Sequence, residues 1–322
     1  VGAQVHRAAA GGEETGEEIV STGITPDVCT SEPHSAPHIE ASPARHTQLG
    51  PIEIRRLLPL RERRMVGPWC FLDRYGPLTF DAGHPMDVPP HPHIGLQTVT
   101  WLLDGEVLHR DSLGSEVMLR PGGLNLMTSG RGIAHSEDTP AQNSGRLNGV
   151  QLWVALRNES RHGDPMFESH PELPEVDLQG GRMKVIIGGV SPATTFSPII
   201  GAELQVESKV EVPLRKDFEH ALLLLDGNAT IDGEAAVPDV LYYLGTGRDQ
   251  LSIKGSTRIL LLGGAPFGET ILMWWNFVAR THEEIVAAGE RWMGGGFGQV
   301  RGAAAPPTPL PSMKGPRPPA AS

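Results

Sequence analysis

Cysteine is nearly missing from this chain of 322 residues: only Cys29 and Cys70 occur. A disulfide-stapled scaffold is therefore excluded, and two reduced thiols in the cytoplasm are the expectation, with a single bridge as the alternative. Apolar runs of about 18 residues are absent, which leaves no candidate membrane-spanning helix. The opening stretch VGAQVHRAAAGGEETGEE lacks the apolar segment of a secretory signal. Basic charge is in deficit as well. Lys and Arg number 27 against 38 Asp and Glu, a formal net charge of −11. Such a surface repels phosphate, so direct nucleic-acid binding is not expected, although docking on a protein already bound to DNA remains open. Helical periodicity is scarce: THEEIVAAGERWM is the one clear helix, with Thr281 as N-cap, Glu284 completing a capping box and Gly294 as a stop.

What the chain has in quantity is turn residues, 39 Gly and 29 Pro. Between them lie short β-branched and apolar runs, such as LQTVTWLL, EVMLRPGG, GVQLWVAL, RMKVIIGGV and STRILLLGG. Strands this short and frequent predict an all-β sandwich or barrel. LQTVTWLLDGEVLHRD and EHALLLLDGNATIDGE share one pattern: an apolar strand, Leu-Leu-Asp-Gly, a second strand. This weak repeat predicts a duplicated barrel, with Asp104-Gly105 and Asp226-Gly227 read as hairpin turns. Residues 1–48 and 296–322 are poor in large apolar residues and read as disordered tails. His34, His38 and His46 fall in the first of them. Metal content is expected to survive removal of residues 1–45 or 300–322.

The candidate chemistry lies in two short segments. PPHPHIG places His91 and His93 at i and i+2, and GRGIAHSEDTP does the same for His135 and Glu137. Residues two apart on a strand share a face. A proline between the first two histidines suits an edge strand or a strand entry. Two such pairs supply three imidazoles and a carboxylate, a ligand set for a divalent transition metal with open positions for substrate. The bland alternative is two unrelated surface pairs. Gly130 and Gly132 weigh against it, because they allow close backbone approach just before His135. Gln97 and Met127 are candidate pocket residues, with plain core packing as the alternative for Met127. His109 and Asp111 are a candidate pair orienting a ligand histidine, or simply a structural hydrogen bond. His220 has no HxH partner and reads as structural.

The segments FLDRYGPLTFDAG, DVPPHPHIGLQTVTWLLDGEVLHRDSLGS, RPGGLNLMTSGRGIAHSE and GVQLWVAL resemble the pirin family of the cupin superfamily. The resemblance runs through about residues 50–160 and more loosely to about 290, through GVSPATTFSPI and FVARTHEEI. It implies a bicupin: two tandem antiparallel β-barrel (jelly-roll) domains with a short C-terminal helix. The metal-binding domain would span residues 49–165 and a degenerate, metal-free cupin 166–295. The family's metal ligands fall on His91, His93, His135 and Glu137, with Glu137 also the catalytic base. Iron is the first expectation, with nickel, manganese, cobalt, copper or zinc as alternatives.

The resemblance implies a quercetin 2,3-dioxygenase-type activity, in which a flavonol-like substrate and O2 meet at a mononuclear metal. The competing expectation is a redox-sensing protein that acts as a transcriptional co-regulator, or regulates a metabolic enzyme, through protein contacts. A metal-free relic is a third. A monomer is expected.

Overall fold

The structure, a computed structural model, describes residues 27–29, 39–49, 52–81 and 87–312. All paired strands run antiparallel. In the first half a seven-stranded sheet has the order Met166–His170, Leu124–Thr128, Leu96–Gly105, Arg146–Ala155, Trp69–Thr79, Ile52–Leu58, Arg45–Leu49. A four-stranded sheet faces it, ordered Val88–His93, Ile133–Asp138, Val107–Asp111, Glu116–Leu119. Ile52, Tyr75 and Leu102 from the first sheet meet Val107 and Leu119 from the second in one buried cluster.

The second half repeats the plan. Its main sheet includes Gly181–Gly188, Ile199–Val206, Gln250–Gly264, Glu219–Leu224 and Val240–Gly245. Leu204, Leu222 and Leu261 pack there against Val210, Val212 and Ile231. The largest core lies between the halves. Val99, Trp101 and Leu103 meet Ala221, Leu223, Leu225, Leu260 and Leu262. Each fully buried leucine contributes about 1.5–3 kcal/mol relative to exposure, so this seam binds the two barrels into one body.

Several sequence expectations change here. Asp104-Gly105 is no hairpin. The strands on either side of it belong to different sheets, and Asp226-Gly227 likewise joins strands that do not pair with each other. Both dipeptides turn the chain from one sheet to the facing one. Gly105 has φ +89°, and a β-carbon there would lie 2.1 Å from the Arg146 carbonyl oxygen. Leu113-Gly114-Ser115 does close a true hairpin, with Arg110 opposite Glu116.

The tails are shorter than composition suggests. Glu40–Pro43 pairs with Val240–Gly245 in the second barrel, and Arg45–Leu49 completes the seven-stranded sheet. Backbone pairing orders these polar residues, which hydrophobicity alone does not reveal. At the other end, residues 296–312 pack on the body through Phe297 and Leu310. Met166–His170, expected to open the second barrel, pairs instead with Leu124–Thr128 of the first. His46 sits on the exposed strand Arg45–Leu49, against Glu53 at 2.8 Å. His34 and His38 lie outside the described residues. The helix forms as read, His282–Met293, with the Thr281 hydroxyl accepting from the Glu284 amide. No helix among the described residues is long and apolar enough to cross a membrane. Cys70 is buried, with its sulfur 3.6 Å from the Trp153 carbonyl oxygen.

Candidate metal centre

The strand Val88–His93 is the edge of the four-stranded sheet, which is where its three prolines can be tolerated. Pro92 faces away, and His91 and His93 share the inner face. Across the ladder His91 stands opposite His135, and His93 opposite Ile133. On its other side Ile133–Asp138 sets His135 opposite Asp111 and Glu137 opposite His109. The turn before His135 needs its glycines: Gly130 has φ +49°, and a β-carbon there would lie 2.2 Å from the Gly163 oxygen.

His91, His93 and His135 converge. One nitrogen from each lies within 4.8 Å of the other two, and His93 Nε2 is 3.1 Å from His135 Nε2. The three residues are 9%, 1% and 2% exposed. Their partners determine which nitrogen carries hydrogen. His91 Nδ1 is 2.9 Å from the Pro89 carbonyl, and His93 Nδ1 is 3.1 Å from the Asn276 carbonyl. A carbonyl only accepts, so both Nδ1 atoms donate and both Nε2 atoms carry lone pairs. His135 Nδ1 faces His109 Nδ1 at 3.4 Å, and His109 Nε2 lies 3.2 Å from Asp111 Oδ2. Asp111 accepts from His109 Nε2–H, which leaves His109 Nδ1 to accept from His135. The third Nε2 is then a lone pair too.

Burial keeps these imidazoles neutral. It lowers His91 to about 4, and it pushes His93 and His135 well below the ordinary histidine value, helped by their mutual proximity. Burial raises Asp111, but hydrogen bonds from His109 and Ser115 outweigh it and hold the carboxyl below its usual range. Three neutral rings aiming lone pairs at one point repel each other unless a cation sits between them. The donor set fits a transition metal, with the other ring nitrogens oriented by carbonyls and by a histidine–carboxylate pair.

Glu137 is the next inward side chain on the His135 strand and is 5% exposed. It lies outside the 4.8 Å histidine group; its Oε1 is 3.1 Å from Thr100 Oγ1. Burial raises its pKa against the opposing pull of His109 and the Thr100 hydrogen bond. Thr100 Oγ1 is also 3.0 Å from Gln151 Oε1, while Gln151 Nε2 has no partner. One hydroxyl has one proton. Turning the Gln151 amide lets it donate to Thr100, which then donates to Glu137.

Met127 faces the barrel interior, opposite Thr98 and Phe167. Gln97 does not join the site. It shares the face of Val99 and Trp101 towards the second barrel and donates to Thr128 Oγ1 and the Thr194 carbonyl. Three further contacts have no signature in the sequence. Phe167 stacks on His109 at 4.2 Å, Trp153 sets its ring against His93 at 5.2 Å, and Asn276 reaches His93 from the far end of the chain. None of the three is near its partner in sequence.

The Pirin family model matches residues 52–154, which include all these histidines, and the model of the Pirin C-terminal cupin domain matches residues 199–298. The chain belongs to the pirin family. Among pirin relatives, a Pseudomonas aeruginosa protein named "Putative quercetin 2,3-dioxygenase PA1205" is 46% identical over 251 residues, 76% of this chain and 79% of that protein. A pirin-like protein of Caulobacter vibrioides is 37% identical over 266 residues, 78% of this chain and 92% of its own length. A crystal structure of quercetin 2,3-dioxygenase from Acinetobacter baumannii superimposes with a TM-score of 0.83 at 40% identity, covering 87% of this chain and 97% of that one.

Proposed function

We propose that this pirin is a metal-dependent dioxygenase that opens flavonol-like rings with O2. The observation that carries the reading is the convergence of three Nε2 lone pairs from the edge strand Val88–His93 and its neighbour Ile133–Asp138, in a chain similar to proteins named for that reaction. His91, His93 and His135 hold the metal, and Glu137 is both the fourth donor and the base. Iron is the first choice, with nickel, manganese, cobalt, copper and zinc as competitors. When bound, the metal supplies Lewis-acid and electron-transfer chemistry.

The protein's own part is proton handling and exclusion of water. Glu137, raised by burial, takes the proton of the substrate's enolic hydroxyl. Thr100 holds the carboxylate in place, and the Asp111–His109 pair keeps His135 in the ligating tautomer. In the overall reaction a flavonol and O2 become a ring-opened ester and carbon monoxide. The protein works as a cytoplasmic monomer.

A second reading is favoured by depth. The three histidines are at most 9% exposed. A deeply set site suits a redox sensor whose surface engages a protein partner.

The test couples metal to turnover. Protein and its His93→Ala variant are purified without added metal, bound metals are quantified, and quercetin loss and oxygen uptake are followed. Stoichiometric metal with turnover, both lost in the variant, supports the dioxygenase. Metal without turnover after reconstitution with each candidate ion overturns it and leaves the sensor.

A further inference from the structure

The second barrel keeps a cavity where the first keeps its histidines. Superposing Leu102-Leu103-Asp104-Gly105 on Leu224-Leu225-Asp226-Gly227 without gaps sets Pro213 at the place of His91, Arg215 at that of His93, and His220 at that of Thr98. The fold agrees with this register. Val99, Trp101 and Leu103 face the seam between the barrels, as do Ala221, Leu223 and Leu225, so Thr98 and His220 both point inward. Pro213, Arg215 and His220 all line a cavity of about 360 Å³. That volume lies within the usual range of small-molecule sites, about 300–1,000 Å³.

The chemistry of this cavity differs from that of the metal centre. A single imidazole replaces three. Arg215 is exposed and grips Asp217 through two hydrogen bonds of 3.0 and 2.5 Å, so it brings no unbalanced charge. Met183, Ile199, Phe218 and Leu261 form apolar walls. Besides Thr195 and Arg215, two buried polar atoms without a partner break them. His220 is 1% exposed, and its Nδ1 has no hydrogen-bond partner among the described residues. Ser197 Oγ is buried and equally unpartnered. Burial lowers His220 to about 4, with Asp217 opposing and Arg248 assisting, so the ring is neutral at pH 7.

Leaving such groups dry is costly, and a ligand that satisfies them has a defined character. It is neutral, because no free charge meets it. It carries a hydroxyl, which donates and accepts at once. It is apolar and flat elsewhere, because Gly188 and Gly189 contribute no side chains to the lining and the Phe218 ring forms a wall. We propose that the second barrel holds a binding site, separate from the histidine cluster, for a small phenol of one or two rings, whose hydroxyl pairs with His220 Nδ1 and Ser197 Oγ. The site stands whether or not the first barrel is a dioxygenase.

The test uses 2-naphthol as probe and 2-methoxynaphthalene as its counterpart without a donor. Binding is measured by calorimetry on the full chain, on His93→Ala to remove the first site, and on His220→Phe and Ser197→Ala. The expected result is one equivalent of 2-naphthol bound by both wild type and His93→Ala. Affinity falls about tenfold in His220→Phe and for the methyl ether, as loss of one buried hydrogen bond predicts. Ser197→Ala weakens binding several-fold and decides the matter if His220→Phe fails to fold. Absence of saturable binding overturns the proposal. So does binding that His93→Ala abolishes, or equal affinity for naphthol and ether.

Discussion

The Thr308 amide donates to the Pro90 carbonyl across 2.8 Å, which ties the C-terminal segment to the residue just before His91. The Thr308 carbonyl in turn accepts from Trp292 Nε1 at 2.9 Å, and Leu310 packs over Gly289 on the helix. Thr308 thus buttresses the edge strand that carries two of the three histidines. Composition alone implied that residues 300–322 are dispensable for metal; this contact implies the reverse. A chain ending at Phe297 is expected to stay folded by circular dichroism and to release metal to a chelator several-fold faster than the full chain. Equal release rates would mean that the edge strand holds its shape unaided.

The Asp111 carboxylate accepts from His109 and through it sets the tautomer of His135. Asp111→Asn keeps the shape and removes the charge. Metal affinity is expected to drop about 10- to 100-fold, as outer partners of ligand histidines generally show. Competition with a chromophoric chelator measures it. Asp111 Oδ1 also caps the hairpin through the Leu113 and Ser115 amides, so the thermal midpoint of the metal-free variant is the control for a merely structural effect.

His220 links stability to pH. Its folded value of about 4 lies below the ordinary 6.5. Between those values the unfolded chain holds a proton that the folded chain does not, so stability falls as pH falls through that window. One such proton is worth up to about 1.4 kcal/mol per pH unit. The buried metal-centre histidines act in the same sense in the metal-free protein. His220→Phe should therefore flatten, but not abolish, the decline in urea-measured stability from pH 6.5 to 4. An unchanged slope would show that His220 is protonated in the folded state.

Arg74 crosses between the barrels. It is 4% exposed and donates to Asp239 at 2.9 Å and to the carbonyls of Leu224 and Leu225. Burial lowers its pKa against the pull of Asp239. Asp239→Asn tolerates the left-handed backbone at φ +61° while stranding the guanidinium. The expected loss is about 2–3 kcal/mol in urea unfolding, below the full value for a buried pair because Asp239 is partly exposed. A loss under about 0.5 kcal/mol would mean that the two carbonyls suffice.

The candidate site was legible to the extent that it is local. His91, His93 and His135 stood out because period-2 spacing on strands decides which side chains share a face, and that spacing is written in HPH and HSE. Glu137 is on the right face, but its carboxylate rests on Thr100, a contact set by the register of two strands that are distant in sequence. Gln97 was misplaced by the same logic: alternation says that it faces one side, not which side holds the histidines. The two Asp-Gly turns were recognised as turns and misread as hairpins. A dipeptide determines how sharply the chain bends, while strand pairing depends on residues beyond the turn, as where Trp101 meets Leu124 and Ala221 meets Leu262.

By itself the sequence determined the all-β class, the duplication, the capped helix and the three imidazoles, because each rests on interactions between residues a few positions apart. Only the tertiary structure decided that Glu40–Pro43 belongs to the far barrel, that Thr308 braces His91's strand, and that His220 closes a cavity rather than filling a core. Those outcomes depend on long-range pairing and on which faces exclude water together, and no local pattern encodes either.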